Sequence, residues 1–191
     1  MNYYNEKARE FFQGTINVDM RSLYSKFLPQ LRHGDLILDA GCGSGRDSKY
    51  FLSNGFRVHA IDASKELAKL AEIEIGQSVE VTTFAEFSTD KEFDAIWACA
   101  SLIHVPFELL PDSISNLDQY LKIGGLFYCS FKFGCDEVER GGRSFTNLNE
   151  ELLDQALLNS SLRVSKTWVT GDARKGREEE KWLNAILVKE R

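Results

Sequence analysis

The sequence predicts an α/β domain built on a doubly wound, mostly parallel sheet of about seven strands. Three observations lead there. Short apolar runs alternate with amphipathic segments from residue 35 to about residue 157, and alternating β and α units generate a parallel sheet covered by helices on both faces. A glycine cluster, Gly41-Cys42-Gly43-Ser44-Gly45, directly follows the first of those runs. The last two strand-like segments have no long helix between them, so they are expected to pair as an antiparallel hairpin at one side.

Taken in order, the first thirty or so residues read as helices. Ala8, Phe11 and Phe12 lie at near-helical spacing, and Leu23, Phe27, Leu28 and Leu31 repeat the pattern after Gly14-Thr15. Residues 35–39 form a short apolar run between His33-Gly34 and the glycines, the pattern of a buried strand. A helix over about 45–53 ends at Asn54-Gly55, and 56–61 is the second strand. Ser64 caps a helix over 64–75 that carries Leu67, Leu70 and Ala71 on one face and stops at Gly76. Residues 79–84 and 93–98 read as the third and fourth strands. A helix over about 106–121 precedes a turn at 122–125 and a strand over 126–131. Thr146 or Asn147 is expected to cap the next helix, which carries Leu152, Leu153, Ala156 and Leu157. Strands over 162–170 and 182–188 close the chain around a polar loop. With 191 residues, one domain with a sizeable core is expected: a helical lid over 1–33 and a core over 34–191.

Composition narrows the class of protein. Hydrophobic residues make up 43% of the chain, charged residues 27%, and only 3 residues are proline, which fits an ordinary globular protein rather than a disordered one. A net charge of −6 argues against a broad basic face for nucleic-acid backbones. The start Met1-Asn2-Tyr3-Tyr4 lacks a basic-then-apolar leader layout, and no apolar run is long enough to span a bilayer. Cys42, Cys99, Cys129 and Cys135 show neither C-x-x-C spacing nor a histidine at metal-ligand spacing. Reduced, mostly buried thiols, a cytoplasmic location and no metal are therefore expected.

Ligands in open α/β sheets bind outside the carboxyl ends of the strands, where strand order reverses. That directs attention to 39–45, 62, 84, 98–104 and 131–133. In the glycine loop, positive φ and the missing Cβ let a ligand approach the backbone, and amides at the following helix start favour a negative group. Alone, the loop fits a dinucleotide turn or a bare strand-to-helix connection as well. Asp39 tilts the reading: a carboxylate beside a diphosphate is unfavourable, whereas a cationic amine suits it. Asp62 ends the second strand, where an acidic residue takes ribose hydroxyls or serves as a turn aspartate before Ser64.

Four stretches in this order, Leu38-Asp-Ala-Gly-Cys-Gly-Ser-Gly-Arg-Asp47, Val58-His-Ala-Ile-Asp-Ala-Ser64, Phe93-Asp-Ala-Ile-Trp-Ala-Cys-Ala-Ser-Leu-Ile-His-Val105 and Leu121-Lys-Ile-Gly-Gly-Leu-Phe-Tyr-Cys-Ser130, resemble the class I S-adenosylmethionine-dependent methyltransferases, with their Rossmann-like fold. The resemblance covers about residues 35–131. Gly142-Arg-Ser-Phe-Thr146 and Trp182-Leu-Asn184 are similar to small bacterial members grouped with tellurite-resistance methyltransferases. The resemblance implies S-adenosylmethionine as cofactor. It assigns the methionine portion to Asp39, Gly41, Cys42 and Gly43, the ribose to Asp62 and the adenine to Ala63. Thr83-Phe84 stands where many members carry an acidic residue, which leaves the adenine amine near Phe84 to backbone groups or Glu86. Ala98, Cys99 and Ser101 would line the pocket near the sulfonium. Arg46 and Asp47 either pair with each other or touch the cofactor carboxylate.

A sulfonium already activates its methyl group, so in-line positioning supplies much of the rate. A general base is needed only for a protonated acceptor, and His104 is the candidate, a structural histidine being the alternative. Lys132, Arg143, Asp172 and Arg174 are candidates for the acceptor side, Arg143 either clamping an anion or standing as an ordinary surface arginine. Tyr3, Tyr4, Phe11 and Phe12 are spaced to form a lid, or to pack as an ordinary helix. The Asn/Asp-Pro-Pro-Tyr/Phe signature of amino-methylating DNA and glutamine enzymes is absent after the fourth strand, where Ala98-Cys-Ala-Ser101 stands. The expectation is methyl transfer to a small-molecule acceptor. The alternatives are a regulatory protein that binds the cofactor without chemistry, and an NAD-dependent oxidoreductase, which would need G-x-G-x-x-G spacing.

Overall fold

In the computed structural model, which describes residues 2–177 and 179–190, β1 (Leu36–Ala40) sits near the centre of the sheet. Its side chains feed both cores: Leu38 packs into one cluster and Ile37 into the other, each fully buried. Double-sided burial is why the strand reads as a continuous apolar run. β2 (Arg57–Asp62) and β4 (Phe93–Ala98) flank it in parallel, β3 (Val79–Val81) extends one side, and β5 (Leu121–Lys132) the other. β9 (Lys181–Lys189) runs antiparallel to β5, and β8 (Leu162–Gly171) pairs antiparallel with β9. The order β3-β2-β1-β4-β5-β9-β8 is the expected seven-stranded, mostly parallel sheet with an antiparallel hairpin at one edge.

Helices cover both faces. Gly45 in the left-handed region opens α4 (Arg46–Ser53). The Ser64 hydroxyl accepts from Leu67 N to cap α5 (Lys65–Ile75), and left-handed Gly76 ends it. At the N-terminus, α1 (Asn2–Glu6) and α2 (Ala8–Thr15) lie against α5, while α3 (Arg21–Phe27) buries Leu23, Tyr24 and Phe27. Among the described residues, no helix is long and apolar enough to cross a membrane.

Four local expectations change. β3 stops at Val81, because the Thr83 carbonyl gathers the amides of Glu86 and Phe87 in a turn that buries Phe87. The helix expected over 106–121 is one 3₁₀ turn, Phe107–Leu109, followed by α6 (Leu110–Asp118), with Pro111 in its first turn, and a further 3₁₀ turn, Leu102–His104, precedes it. Leu121 instead opens β5 opposite Phe93, and residues 122–125 bulge out before Leu126 pairs with Ala95. The cap of α7 (Glu150–Ala156) is Asn149, whose side chain accepts from Leu152 N, rather than Thr146 or Asn147. A hairpin of β6 (Glu137–Arg140) and β7 (Arg143–Thr146) was not expected. Its two turn residues, Gly141 and Gly142, both have positive φ, as a tight two-residue hairpin turn requires.

Candidate active site

Strand order reverses at β1, whose neighbours β2 and β4 carry its crossovers to opposite sides. Outside the carboxyl ends of β1 and β4 lies a cavity of about 430 Å³, within the size range of small-molecule sites. Gly41, Cys42, Gly43, Ser44, Arg46 and Asp47 form its floor. Cys99, Ala100, Ile103 and His104 line one wall, Lys132, Arg143, Phe145 and Arg174 another, and Tyr4 and Phe11 lie over the top.

The glycines have separable causes. Gly41 N and Cys42 N both donate to the Ile61 carbonyl at 2.9 Å, which binds the loop to the end of β2. At Gly41 (φ +81°) a Cβ would fall 2.5 Å from Ser101 Cβ, and the Ser101 hydroxyl donates to the Ala40 carbonyl. Close approach of the two strand ends therefore demands glycine there. At Gly43 (φ +56°) a Cβ would meet the Phe11 ring at 3.3 Å, so the N-terminal helices lie directly on the loop.

Two aspartates beneath the loop share one low-dielectric region and resolve it differently. Asp47 accepts from Arg46 Nε at 2.6 Å, Tyr24 OH at 2.5 Å and Trp97 Nε1 at 2.8 Å. Burial alone would raise its carboxyl, but these donors outweigh burial and hold it below the usual range. Asp39, 2% exposed, accepts, among the described residues, only from the Ser48 hydroxyl at 2.6 Å. Burial, with the Asp47 charge added, pushes its carboxyl up to about 8. Arg46, the nearby cation, is already committed to Asp47. Asp39 thus carries unmet demand for a proton or a cation.

Asp62 accepts from Gly43 N and Ser64 N, each at 2.8 Å, so it ties the loop to the start of α5. Burial raises its carboxyl and these two amides oppose the rise. The Ser64 hydroxyl donates to Asn5 Oδ1 at 2.8 Å, so the first helix fastens over this side. Asp39, Asp62, Ala63, Phe84 and Ala98 stand behind the cavity rather than in its lining. Strand alternation explains the last: Ala98 turns into the core and leaves Cys99 at the cavity. Burial pushes the Cys99 thiol up to about 12 and raises Cys42 as well. Both present neutral, soft surfaces. Glu86 accepts from the Thr83 hydroxyl at 2.8 Å.

On the cavity wall, His104 Nδ1 lies 2.8 Å from the Ser144 carbonyl and Nε2 2.6 Å from Tyr4 OH. The carbonyl can only accept, so Nδ1 carries the proton and Nε2 accepts from Tyr4. Burial lowers the pKa of His104, which keeps the ring neutral and leaves Nε2 without a proton. Lys132 is paired with Glu180 at 2.5 Å, and Arg174 with Asp172 at 2.5 Å. Arg143 stacks its guanidinium 4.6 Å over Tyr3 and 5.0 Å over Phe145. Sequence reasoning missed Ala100, which takes φ +53° at the end of β4 while its N–H donates to Ser130 Oγ at 2.9 Å. A non-glycine residue in that region costs about 1–2 kcal/mol and left no mark in the sequence. The β6–β7 hairpin, by contrast, was signalled by Gly141-Gly142.

Residues 38–129 match the family model described as a methyltransferase domain. A ubiquinone biosynthesis O-methyltransferase of Rickettsia typhi is 35% identical over 95 residues, 47% of this chain and 38% of that protein. A malonyl-[acyl-carrier protein] O-methyltransferase of Enterobacter lignolyticus is 32% identical over 94 residues, 47% of this chain and 36% of that protein. The chain spans less than half the length of the curated relatives it matches. Among solved structures, a Burkholderia thailandensis 1,6-didemethyltoxoflavin-N1-methyltransferase, crystallised with 1,6-didemethyltoxoflavin and S-adenosylhomocysteine, aligns with a TM-score of 0.78 at 21% identity, covering 100% of this chain and 85% of that one. A Methanosarcina mazei S-adenosylmethionine-dependent methyltransferase aligns with a TM-score of 0.77 at 20% identity, covering 87% and 98%. The fold is the Rossmann-like fold of these methyltransferases.

Proposed function

We propose that this protein transfers the methyl group of S-adenosylmethionine to a small-molecule acceptor. The observation that carries the reading is Asp39, a buried carboxyl group with no ion-pair partner among the described residues, set behind a glycine loop at the point where strand order reverses. A positively charged ligand on that loop meets the demand, and a diphosphate does not. The methyltransferase-domain match over 38–129 supports it, as does the small-molecule ligand of the Burkholderia thailandensis neighbour.

In this reading Gly41, Cys42 and Gly43 receive the methionine portion, with Asp39 supplying the field behind them. Arg46 faces the carboxylate, and Cys99 lines the sulfonium side. Asp62, Ala63 and Phe84 receive the adenosine once Asn5 and Phe11 give way, so residues 1–33 act as the lid of a single domain and exclude water when closed. The cofactor supplies the activated methyl; the chain holds the acceptor in line with it. His104 Nε2 takes the acceptor proton where there is one, directly or through the Tyr4 hydroxyl, while the Ser144 carbonyl stabilises the ring as it becomes charged. The motifs at 142–146 and 182–184 favour the small bacterial subgroup grouped with tellurite-resistance methyltransferases.

The test is a screen of small-molecule acceptors with methyl-labelled S-adenosylmethionine, run with D62A alongside. Label transfer to at least one acceptor, with cofactor affinity reduced in D62A, is expected. Cofactor affinity unchanged by D62A contradicts the adenosine assignment, and no transfer to any acceptor contradicts the activity.

A further inference from the structure

Six arginine and lysine side chains line the cavity. Lys132, Arg174, Arg177 and Arg46 reach the cavity, but each is matched by a carboxylate: Glu180, Asp172, Glu180 and Asp47. Arg140 and Arg143 also line it, and among the described residues neither is in an ion pair. Both come from the β6–β7 hairpin, on either side of Gly141-Gly142, and they are register partners directly opposite one another. Like charges opposed across a hairpin disfavour it, and this pair stands where the hairpin lines the cavity.

The state of Arg143 points the same way. Its guanidinium lies over the Tyr3 and Phe145 rings, with the Tyr4 hydroxyl as one hydrogen-bonding neighbour. Stacking engages the face of the group, whereas all five N–H donors lie in its plane. Its Nε is buried and has no hydrogen-bond partner among the described residues, a state that ordinarily is costly. An oxyanion at the rim would engage the donors that Tyr4 leaves and offset the Arg140–Arg143 repulsion together. The next residue, Ser144, supplies the carbonyl that orients His104. The hairpin therefore couples a positive clamp to the candidate base.

We infer that the acceptor is an anion, a small molecule whose carboxylate or phosphate is held between Arg140 and Arg143 so that its reacting atom faces the Tyr4–His104 pair. The word acceptor rests on the proposed methyl transfer; the anion site itself does not. It is tested by calorimetric titration with benzoate and phenyl phosphate as the two anionic probes and benzyl alcohol as the neutral one. Wild type, R143Q and R140Q are each titrated as well with S-adenosylhomocysteine. Loss of charge-assisted hydrogen bonds predicts that at least one anion binds about tenfold or more tighter than benzyl alcohol, and that R143Q loses about tenfold. R140Q, an exposed position that carries no folding risk, should lose less and melt higher than wild type without ligand.

Failure of both anions to outbind benzyl alcohol overturns the inference, as does binding unchanged in both variants. The relative strength of benzoate and phenyl phosphate decides between carboxylate and phosphate. Absence of S-adenosylhomocysteine binding alongside intact anion binding overturns the methyl-transfer reading and leaves the clamp standing.

Discussion

Replacing Asp39 by asparagine isolates the charge that the loop has in reserve for its ligand. The amide keeps the shape and an acceptor for the Ser48 hydroxyl but removes a carboxyl that burial and Asp47 push up to about 8. A carboxyl whose folded pKa exceeds its unfolded one lowers stability progressively as pH rises from the unfolded value towards the folded one. With an unfolded value near 3.8, the stability gained by D39N should grow from about 2 kcal/mol near pH 5 to about 5 kcal/mol near pH 8. Any fixed packing cost of the amide cancels in that difference. Urea unfolding of both proteins at the two pH values measures it. The same substitution should weaken S-adenosylmethionine binding, and wild-type affinity should rise with pH over the same interval because the ligand favours the ionised carboxylate. A D39N stability difference that does not change between the two pH values would refute the claim that Asp39 is an uncompensated buried acid.

Three further substitutions probe the frame around it. D47A strands Arg46, Tyr24 OH and Trp97 Nε1 and should cost about 3–5 kcal/mol in urea unfolding; a loss under about 1 kcal/mol would show that the network contributes little. G41A drives a Cβ against Ser101, whereas G34A, also at positive φ, meets nothing within 4 Å. G34A should cost about 1–2 kcal/mol and G41A about 1–3 kcal/mol more, read as separate shifts in thermal unfolding. H104Q should slow methyl transfer about 100-fold or more while leaving S-adenosylhomocysteine affinity unchanged. Because burial lowers the His104 pKa, the wild-type rate should stay level down to a pH below the usual imidazole value and then fall, and H104Q should lose that limb.

The centre of the sheet was legible because β1 and β4 are buried on both faces, so the run at 36–40 and its successors stand out against the helices regardless of tertiary detail. The loop was legible because glycine marks positive φ directly, and Gly45 and Gly76 did the same at helix ends. What depended on distant partners was not. The sequence places Asp39 and Asp47 on either side of the glycine loop, at the end of β1 and the start of α4, but only the fold brings Tyr24 and Trp97 to one and not the other. Val79-Glu-Val-Thr-Thr-Phe84 has strand propensity throughout, yet burial of Phe87 turns the chain after Val81. His104 was found as a residue, but its tautomer is set by Ser144, forty positions away. The Gly141-Gly142 hairpin was readable and was passed over, because its two strands are only four residues each.

The most direct test of cofactor identity is calorimetric titration of the wild-type protein with S-adenosylmethionine, S-adenosylhomocysteine and NAD under one set of conditions. Saturable binding of the first two, with none for NAD, is the expected result. Binding of NAD, or no binding of S-adenosylmethionine, would contradict it.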